Sequence, residues 1–207
     1  MRSKLFLIVF ALLASSTVAV AQTDVGLSLY GAFSGRTDAN GVGVSPANSA
    51  GGIIELRHLA NPIFGFEGTY SYNRANERYS SVLAIACPTP PTPCPPTAAS
   101  VRANAHEITL DWVPSVKLAN LRPFGVLGVG ALFDVPRSGQ TSVPTKTSTK
   151  AVYVYGAGLD WGVVPHFGVR FQYRGNLYKT PDVTGLFTSL DKFRHTAEPM
   201  IGIYFSL

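Results

Sequence analysis

The sequence predicts an all-β protein, a transmembrane up-and-down antiparallel β-barrel of eight strands with short periplasmic turns and long extracellular loops. Three observations support this expectation. Eight segments alternate between apolar and polar residues, the connections between them alternate between short and long, and aromatic residues gather at both ends of the segments. Charged residues make up 14% of the chain, against about 25% in ordinary globular proteins, which fits strands with one side in lipid.

The first 21 residues are expected to be a cleaved signal peptide. Arg2 and Lys4 give a positive start, residues 5–14 are an unbroken apolar run, and Ala19-Val20-Ala21 is the small-x-small pattern that signal peptidase recognises. The alternative is an N-terminal membrane anchor, but the apolar run is shorter than the roughly 20 residues that span a bilayer. The predicted domains are therefore a signal peptide over residues 1–21 and a barrel over residues 22–207.

The first four segments alternate with a period of two. They cover residues 24–34, 52–59, 63–73 and 104–113, and their apolar residues are odd-numbered in the first segment and even-numbered in the next three. Successive side chains of a strand point to opposite faces, so each segment predicts a strand with one apolar face.

The remaining four segments cover residues 123–133, 151–161, 166–173 and 193–207. The segment 123–133 is apolar on both sides, so its sequence does not indicate which residues face inward. In the last three segments the apolar residues are again odd-numbered. Seven of the eight segments thus predict which side chains face outward.

The connections separate a membrane barrel from a soluble sandwich, whose strands alternate in the same way. Three connections are short, namely 60–62, 114–122 and 162–165, and four are long, namely 35–51, 74–103, 134–150 and 174–192. The two kinds alternate strictly. This order is typical of an up-and-down barrel with tight turns on one rim and long loops on the other.

Aromatic residues are expected to form two girdles at the membrane interfaces, where such rings are favoured. The alternative is that aromatic residues are simply common in strands. The predicted girdle beside the short turns is Phe64, Trp112, Phe124, Trp161, Phe167 and Phe205, and the one toward the long loops is Phe33, Tyr72, Phe133, Tyr153 and Tyr173.

These features resemble the OmpA/OmpX-like family of eight-stranded outer-membrane β-barrel domains, over essentially all of residues 22–207. Gly202, Phe205 and Leu207 match the C-terminal signal that the barrel-insertion machinery recognises in such proteins. Two departures are Met200, where a polar residue is usual, and the final Leu207 in place of Phe. The resemblance implies an outer-membrane location, contact with outer-membrane lipid, periplasmic chaperones and the insertion machinery during biogenesis, and a monomer.

Nine charged residues fall on the polar side of the segments and are expected to form an ionic network in the lumen. An eight-stranded barrel is barely wide enough for its own side chains, so Arg–carboxylate pairs are expected to fill it as a plug. Facing lipid, a mid-plane Arg would instead cost about 2–4 kcal/mol. The alternatives are a solvated face of a soluble sandwich and the lining of a gated ion path. The nine residues are Glu55, Arg57, Glu67, Glu107, Asp111, Asp160, Arg170, Arg194 and Glu198.

Cys87 and Cys94 lie in the longest connection and are expected to form a disulfide, because the chain is exported. No His or acidic residue lies between them to complete a zinc site, and no metal site or cofactor is predicted. Catalysis is not predicted either. Lipid A deacylases of this barrel class use a His, a Ser and a carboxylate, and the nearest match here puts His195 and Glu198 on opposite faces, with Ala197 at the Ser position.

Three functions remain open at this point. The first is a structural, membrane-stabilising or surface-interaction role in the outer membrane, the second is a narrow pore or small-ligand channel, and the third is a soluble secreted β-barrel with an apolar ligand inside. The net charge of +5 is too small and scattered for nucleic-acid binding. Basic loop residues would meet lipopolysaccharide phosphates in the outer leaflet: Arg36, Arg78, Arg102, Arg137, Lys146, Lys150, Lys179 and Lys192.

Overall fold

A computed structural model describes residues 21–81, 98–137, 144–185, 187 and 190–207. The described residues form ten β-strands: β1 (Gln22–Ser34), β2 (Thr37–Ala39), β3 (Val42–Pro46), β4 (Ser49–Leu59), β5 (Gly65–Ser81), β6 (Ala98–Trp112), β7 (Leu121–Pro136), β8 (Ser148–Val164), β9 (Phe167–Lys179) and β10 (Phe193–Ser206). Residues 1–20 of the predicted signal peptide and both cysteines, Cys87 and Cys94, lie outside the described residues.

Eight long strands close into a barrel, as the sequence predicts. In the ring, β1, β4, β5, β6, β7, β8, β9 and β10 each pair antiparallel with their neighbours, and β10 returns to β1 with Val25 opposite Phe205. Turns of residues 60–64, 113–120 and 165–166 form one rim, here called the short-turn rim. The opposite end is the long-loop rim. The predicted all-β, up-and-down antiparallel architecture is therefore confirmed.

The two additional strands form a hairpin in the first long connection, which the sequence analysis treats as a loop. Asn40 and Gly41 both have positive φ, at 52° and 72°, as a two-residue hairpin turn requires. In β3, Val44 lies opposite Tyr79 of β5, so the hairpin extends the barrel wall beyond the long-loop rim. The Asn40-Gly41 pair is the sequence signal for this hairpin.

The barrel strands also run further than predicted on the long-loop side. The third alternating segment ends at Asn73, whereas β5 continues to Ser81 and pairs along that length with β6. β9 likewise continues past Tyr173 to Lys179. These extensions are more polar than the lipid-facing parts, so the apolar alternation fades while the backbone ladder continues.

The burial pattern is the reverse of a soluble protein. Leu29 on the outer wall is 69% exposed, whereas Arg57 on the inner wall is 0% exposed. A soluble barrel with an apolar ligand would need apolar side chains inside, and the described strands place most of them outside. No described helix is long and apolar enough to cross a membrane.

Phe124 corrects one predicted girdle position. Its segment is apolar on both sides, and the structure turns Phe124 and Val126 into the lumen while Leu127 and Val129 face outward. The Phe124 ring lies against the backbone of Gly158 on β8, where any side chain would collide with it. Of the other predicted girdle residues, Phe133 is half-buried and the rest are exposed on the outer wall.

The long connections pack together above the long-loop rim. An apolar cluster there contains Val42 and Val44 of β3, Tyr79 of β5 and Val183 of the last connection. The Tyr79 hydroxyl donates to the carbonyl of Pro181 and accepts from the Val183 N–H, both at 3.3 Å. The last connection is thereby held over the first.

Candidate functional site

The lumen is the candidate site, and its most connected part is a set of five charged residues near the short-turn rim. This lower cluster consists of Glu55, Arg57, Glu67, Asp160 and Arg170. Arg57 Nε lies 2.6 Å from Glu67 Oε2, and Arg57 Nη1 lies 3.1 Å from Asp160 Oδ2. Arg170 donates to both Asp160 oxygens, at 2.7 and 3.1 Å, and its Nη1 lies 3.1 Å from Glu55 Oε2.

The lower cluster crosses the barrel from wall to wall. Arg57 stands on β4 and Asp160 on β8, which are diametrically opposite in the ring of eight strands. Glu67 on β5 and Arg170 on β9 are also opposite, with Arg170 Nη1 3.3 Å from Glu67 Oε2. All five side chains are buried, and their ion pairs span the lumen between opposite walls.

Two aromatic rings contact the arginines of the lower cluster. The Arg57 guanidinium carbon lies 4.0 Å from the centre of the Phe124 ring, and that of Arg170 lies 5.4 Å from the same ring. Arg170 also lies 5.5 Å from the Tyr204 ring centre. A ring face attracts a cation, so these rings hold guanidinium groups that the carboxylates do not fully surround.

A second set, the middle cluster, surrounds Arg174. Its Nη1 lies 3.2 Å from Asp111 Oδ2, and its Nη2 lies 3.3 Å from Glu107 Oε1. Asn176 Nδ2 donates to both Glu107 oxygens, at 3.0 and 3.3 Å. Thr69 and Thr109 also accept from Arg174. Arg174 was not predicted from the sequence because the alternating segment ends at Tyr173, although Arg174 lies on the same side of β9 as Arg170.

Further polar contacts lie at both ends of the lumen. Toward the long loops, Arg194 Nη1 pairs with Glu77 Oε1, and the Tyr178 hydroxyl lies 2.8 Å from Thr196 Oγ1. Glu77 was missed because it lies in a predicted loop. At the short-turn rim, Asp24 Oδ1 accepts from Gln22 at 2.6 Å and from Ser206 at 2.7 Å, and Arg122 lies 3.7 Å from Asp24 Oδ2.

All nine lumen residues expected from the sequence are buried, but they do not form one network. Five form the lower cluster, Glu107 and Asp111 belong to the middle cluster, and Arg194 pairs with Glu77. Glu198 makes no ion pair among the described residues. The described lumen holds nine buried carboxyl groups and four buried guanidinium groups, which is more of each than the sequence analysis assigned: Asp24, Glu55, Glu67, Glu77, Glu107, Asp111, Asp134, Asp160 and Glu198 against Arg57, Arg170, Arg174 and Arg194.

The histidines lie on the outer wall or at the short-turn rim. His195 Nε2 lies 2.8 Å from the Tyr155 hydroxyl, and His106 Nδ1 lies 2.9 Å from the Tyr70 hydroxyl. His195 therefore has Tyr155 as its partner, on the face opposite Glu198. Within the described ranges, no group of three His, Cys, Asp or Glu residues is placed to hold a metal ion directly.

Most of the basic loop residues are already engaged by protein groups. Arg36 pairs with Asp38 at 2.8 Å, Lys146 with Asp182 at 2.6 Å, and Lys179 with Asp191 at 2.6 Å. The hydrogen bond from Lys179 lowers the pKa of the exposed Asp191 carboxyl below its usual range. Arg137 Nε donates to Asn104 Oδ1 and Lys192 Nζ donates to the Asp38 carbonyl, both at 3.0 Å. Arg78 and Arg102 are exposed on the outer wall beyond the girdle toward the long loops.

The family described as outer membrane protein beta-barrel domain matches residues 5–194. Among solved structures, Neisserial surface protein A (NspA) is similar with a TM-score of 0.54 and 11% identity, over 91% of this chain and 99% of that one. The outer membrane protein OprG from Pseudomonas aeruginosa is similar with a TM-score of 0.52 and 11% identity, over 91% and 96% of the two chains.

A third similar structure is Ail, the attachment invasion locus protein of Yersinia pestis. Its TM-score is 0.49 and its identity 15%, over 90% of this chain and 97% of that one. No curated protein matches the sequence. NspA and OprG, at these identities, establish a shared fold with this chain.

Proposed function

This chain belongs to the outer membrane protein β-barrel domain family, and on that premise we propose that it is an integral outer-membrane barrel with a structural, membrane-stabilising or surface-interaction role and a lumen closed by an ionic plug. The observation that carries the proposal is the lower cluster, where Arg57 and Arg170 join strands on opposite sides of the barrel. Export by a cleaved signal peptide over residues 1–21 and a monomeric state are part of the proposal.

The energy of buried ion pairs supports a closed lumen. Removing one partner of a buried pair costs about 3–5 kcal/mol, because the other charge is left uncompensated. A conducting path through the lower cluster would require Arg57 and Arg170 to break their ion pairs with Glu67 and Asp160 at the same time. The rings of Phe124 and Tyr204 add further attraction for the two guanidinium groups.

The alternative function is a narrow pore or small-ligand channel, and electrical recording separates it from the plug. The full chain, folded and inserted into a planar lipid bilayer, is expected to give no steady unitary currents. Steady unitary currents from the wild-type protein that change in size in Arg170→Ala would instead identify the lower cluster as a gate. That outcome would contradict the proposal that an ionic plug closes the lumen.

Membrane insertion is tested independently of conduction. The outer-membrane fraction is expected to contain the protein, and its mobility on SDS gels is expected to differ between boiled and unboiled samples, because a folded barrel resists detergent. A chain that stays in the soluble fraction and migrates identically in both samples would contradict an integral barrel.

Residues of the outer wall would contact two other components, the barrel-insertion machinery and lipopolysaccharide. Phe205 and Leu207 are exposed at the end of β10, where the insertion machinery would recognise them. Gly202 has a second reason to be glycine, because a side chain there would collide with Ser28 of β1. Lipopolysaccharide phosphates would meet Arg78 and Arg102, which are exposed on the outer wall beyond the girdle toward the long loops.

A further inference from the structure

Four arginines lie together on the outer wall, at the long-loop end of three neighbouring strands. Arg74 and Arg78 of β5 and Arg102 of β6 are exposed on the outward face. Arg102 lies opposite Asn76 of β5, which is between Arg74 and Arg78 in the sequence. Arg137 follows the end of β7, and its backbone N–H donates to the Arg102 carbonyl at 2.8 Å. These four arginines are here called the arginine patch.

No carboxyl group balances the arginine patch. The chain has 12 acidic residues, and all of them lie in the part of the chain that the structure describes. Nine are buried in the lumen. The other three form ion pairs elsewhere: Asp38 with Arg36, Asp182 with Lys146, and Asp191 with Lys179. The positive charge of the patch is therefore not neutralised on the outer wall.

The outward-facing positive charge is concentrated on one side of the barrel. On the described strands β8, β9, β10, β1 and β4, the outward faces carry one lysine, Lys179, and no arginine. Lys179 is bound by Asp191 at 2.6 Å. Cations that only solvate the rim would be spread around all eight strands, whereas the patch occupies β5, β6 and β7.

The arginine patch lies just beyond the girdle toward the long loops. The Tyr72 hydroxyl of this girdle donates to Asn104 Oδ1 at 3.2 Å, and Arg137 Nε donates to the same oxygen at 3.0 Å. A strand tilted by about 40° rises about 2.5 Å per residue along the membrane normal, so Arg74 lies about 5 Å beyond Tyr72. Arg102 lies as far beyond Asn104 on β6. The headgroup layer is about 5–8 Å thick on each side of a bilayer, so these arginines reach it.

We infer that the arginine patch binds the phosphates of lipid A, the phosphorylated lipid anchor of lipopolysaccharide, and holds one such molecule beside β5, β6 and β7. The inference rests on the proposed outer-membrane location. Lipid A carries its phosphates at headgroup level, which is the level of the patch. A planar guanidinium group donates two parallel hydrogen bonds to phosphate oxygens, and all four cations of the patch are arginines.

The direction in which the patch faces favours a lipid over a soluble partner. The outward face of a wall strand points into the surrounding lipid layer, whereas a soluble partner would approach the long-loop rim from above. Lipid phosphates near the patch would otherwise repel one another. Several guanidinium groups side by side would compensate this repulsion without a divalent cation.

The test uses the full chain refolded in detergent micelles and titrated with lipid A, with a chelator present so that no divalent cation bridges phosphate to carboxylate. Native mass spectrometry counts the lipid molecules bound per barrel. One diphosphorylated lipid A is expected per barrel, bound several-fold more tightly than the monophosphorylated form. This comparison needs no variant to fold.

Substitutions assign the binding to the patch. Arg74→Gln and Arg102→Gln are each expected to weaken binding of diphosphorylated lipid A about fivefold, since each removes one cation near the phosphates. Lys117→Gln is the matched control, because it removes one exposed positive charge at the short-turn rim. It is expected to bind lipid A like the wild type. Heat-modifiable mobility shows that each variant is folded.

Nuclear magnetic resonance of the wild type locates the bound lipid. The backbone amide of Asn104 on β6 is expected to shift on addition of lipid A, and that of Phe193 on β10, the opposite strand of the ring, is not. Equal shifts at the two amides would overturn the inference. So would equal binding of the two forms of lipid A, or binding by Arg74→Gln and Arg102→Gln that matches Lys117→Gln.

Failure of this inference is distinguishable from failure of the proposed function. A chain with heat-modifiable mobility that shows no preference for phosphorylated lipid would overturn the lipid A site and leave the integral barrel intact. A chain without heat-modifiable mobility would contradict both.

Discussion

The guanidinium carbon of Arg57 lies 4.0 Å from the centre of the Phe124 ring, inside the lumen. Arg57 is completely buried, and its remaining contacts are carboxylates of β5 and β8. A large aromatic ring is therefore part of a charged interior, where it fills space between strands and faces a cation. Phe124 and Arg57 stand on strands that are not neighbours, so barrel closure is what brings them together.

Replacing Phe124 with Ala is expected to lower the free energy of unfolding by about 3–5 kcal/mol, since a buried ring is lost. Phe124→Leu keeps most of the volume but not the ring face, and is expected to cost about 1–2 kcal/mol. Urea unfolding in lipid vesicles, followed by tryptophan fluorescence, measures both. Wild-type stability of Phe124→Leu would show that the ring face contributes little to holding Arg57.

Arg170→Ala is expected to destabilise the barrel by about 3–5 kcal/mol, because Glu55, Glu67 and Asp160 would lose a buried partner. Arg36→Ala removes an exposed ion pair with Asp38 and is expected to change stability by less than about 1 kcal/mol. The same urea titration compares the two variants. A small effect of Arg170→Ala would mean that water replaces the guanidinium inside the lumen, and would count against a tight plug.

Gly130→Ala is expected to destabilise the barrel by roughly 1–3 kcal/mol or to prevent folding. A methyl group at Gly130 would collide with the backbone carbonyl of Ile108 on β6, which cannot move without disturbing the strand pairing. Gly68→Ala is the matched control, because a methyl group there meets nothing within 4 Å. Heat-modifiable gel mobility reports folding of each variant. Normal folding of Gly130→Ala would show that β6 and β7 can separate locally.

The cysteines remain a prediction from sequence. Cys87 and Cys94 are expected to be joined in the exported protein, so a thiol-alkylating reagent should modify neither residue until a reductant is added. Mass spectrometry of the native protein makes the measurement. Two alkylated cysteines before reduction would contradict the disulfide. Reduction is expected to leave the heat-modifiable mobility unchanged, because the eight described strands of the ring pair directly with one another.

The inner and outer walls follow from local sequence in most strands. Alternation assigns Glu55 and Arg57 to one side of β4 and Leu56 to the other, and the described structure buries the first two and exposes the third. The period of two is a property of any extended backbone, so a single segment suffices to assign it. The same rule failed for Phe124, because its segment is apolar on both sides.

The lengths of the strands were harder to predict from the sequence. Glu77, Asp134 and Arg174 lie beyond or at the limits of the apolar alternation, although each continues the inward parity of its strand. Outside the lipid belt, the wall no longer needs apolar residues, so the pattern that marks a strand disappears while hydrogen bonding continues. Inward parity extended past the last apolar residue would have found Glu77 and Arg174, whereas Asp134 follows the segment 123–133, whose inward side the sequence does not indicate.

The sequence by itself determined an all-β chain, an alternating wall and the order of short and long connections, because these depend on neighbouring residues. Only the tertiary structure decided which charges meet. Arg57 and Asp160 are 103 residues apart and stand on opposite strands of the ring. Their contact depends on the register with which β1 meets β10 and the sheet closes, and that register depends on the pairing of all eight strands together.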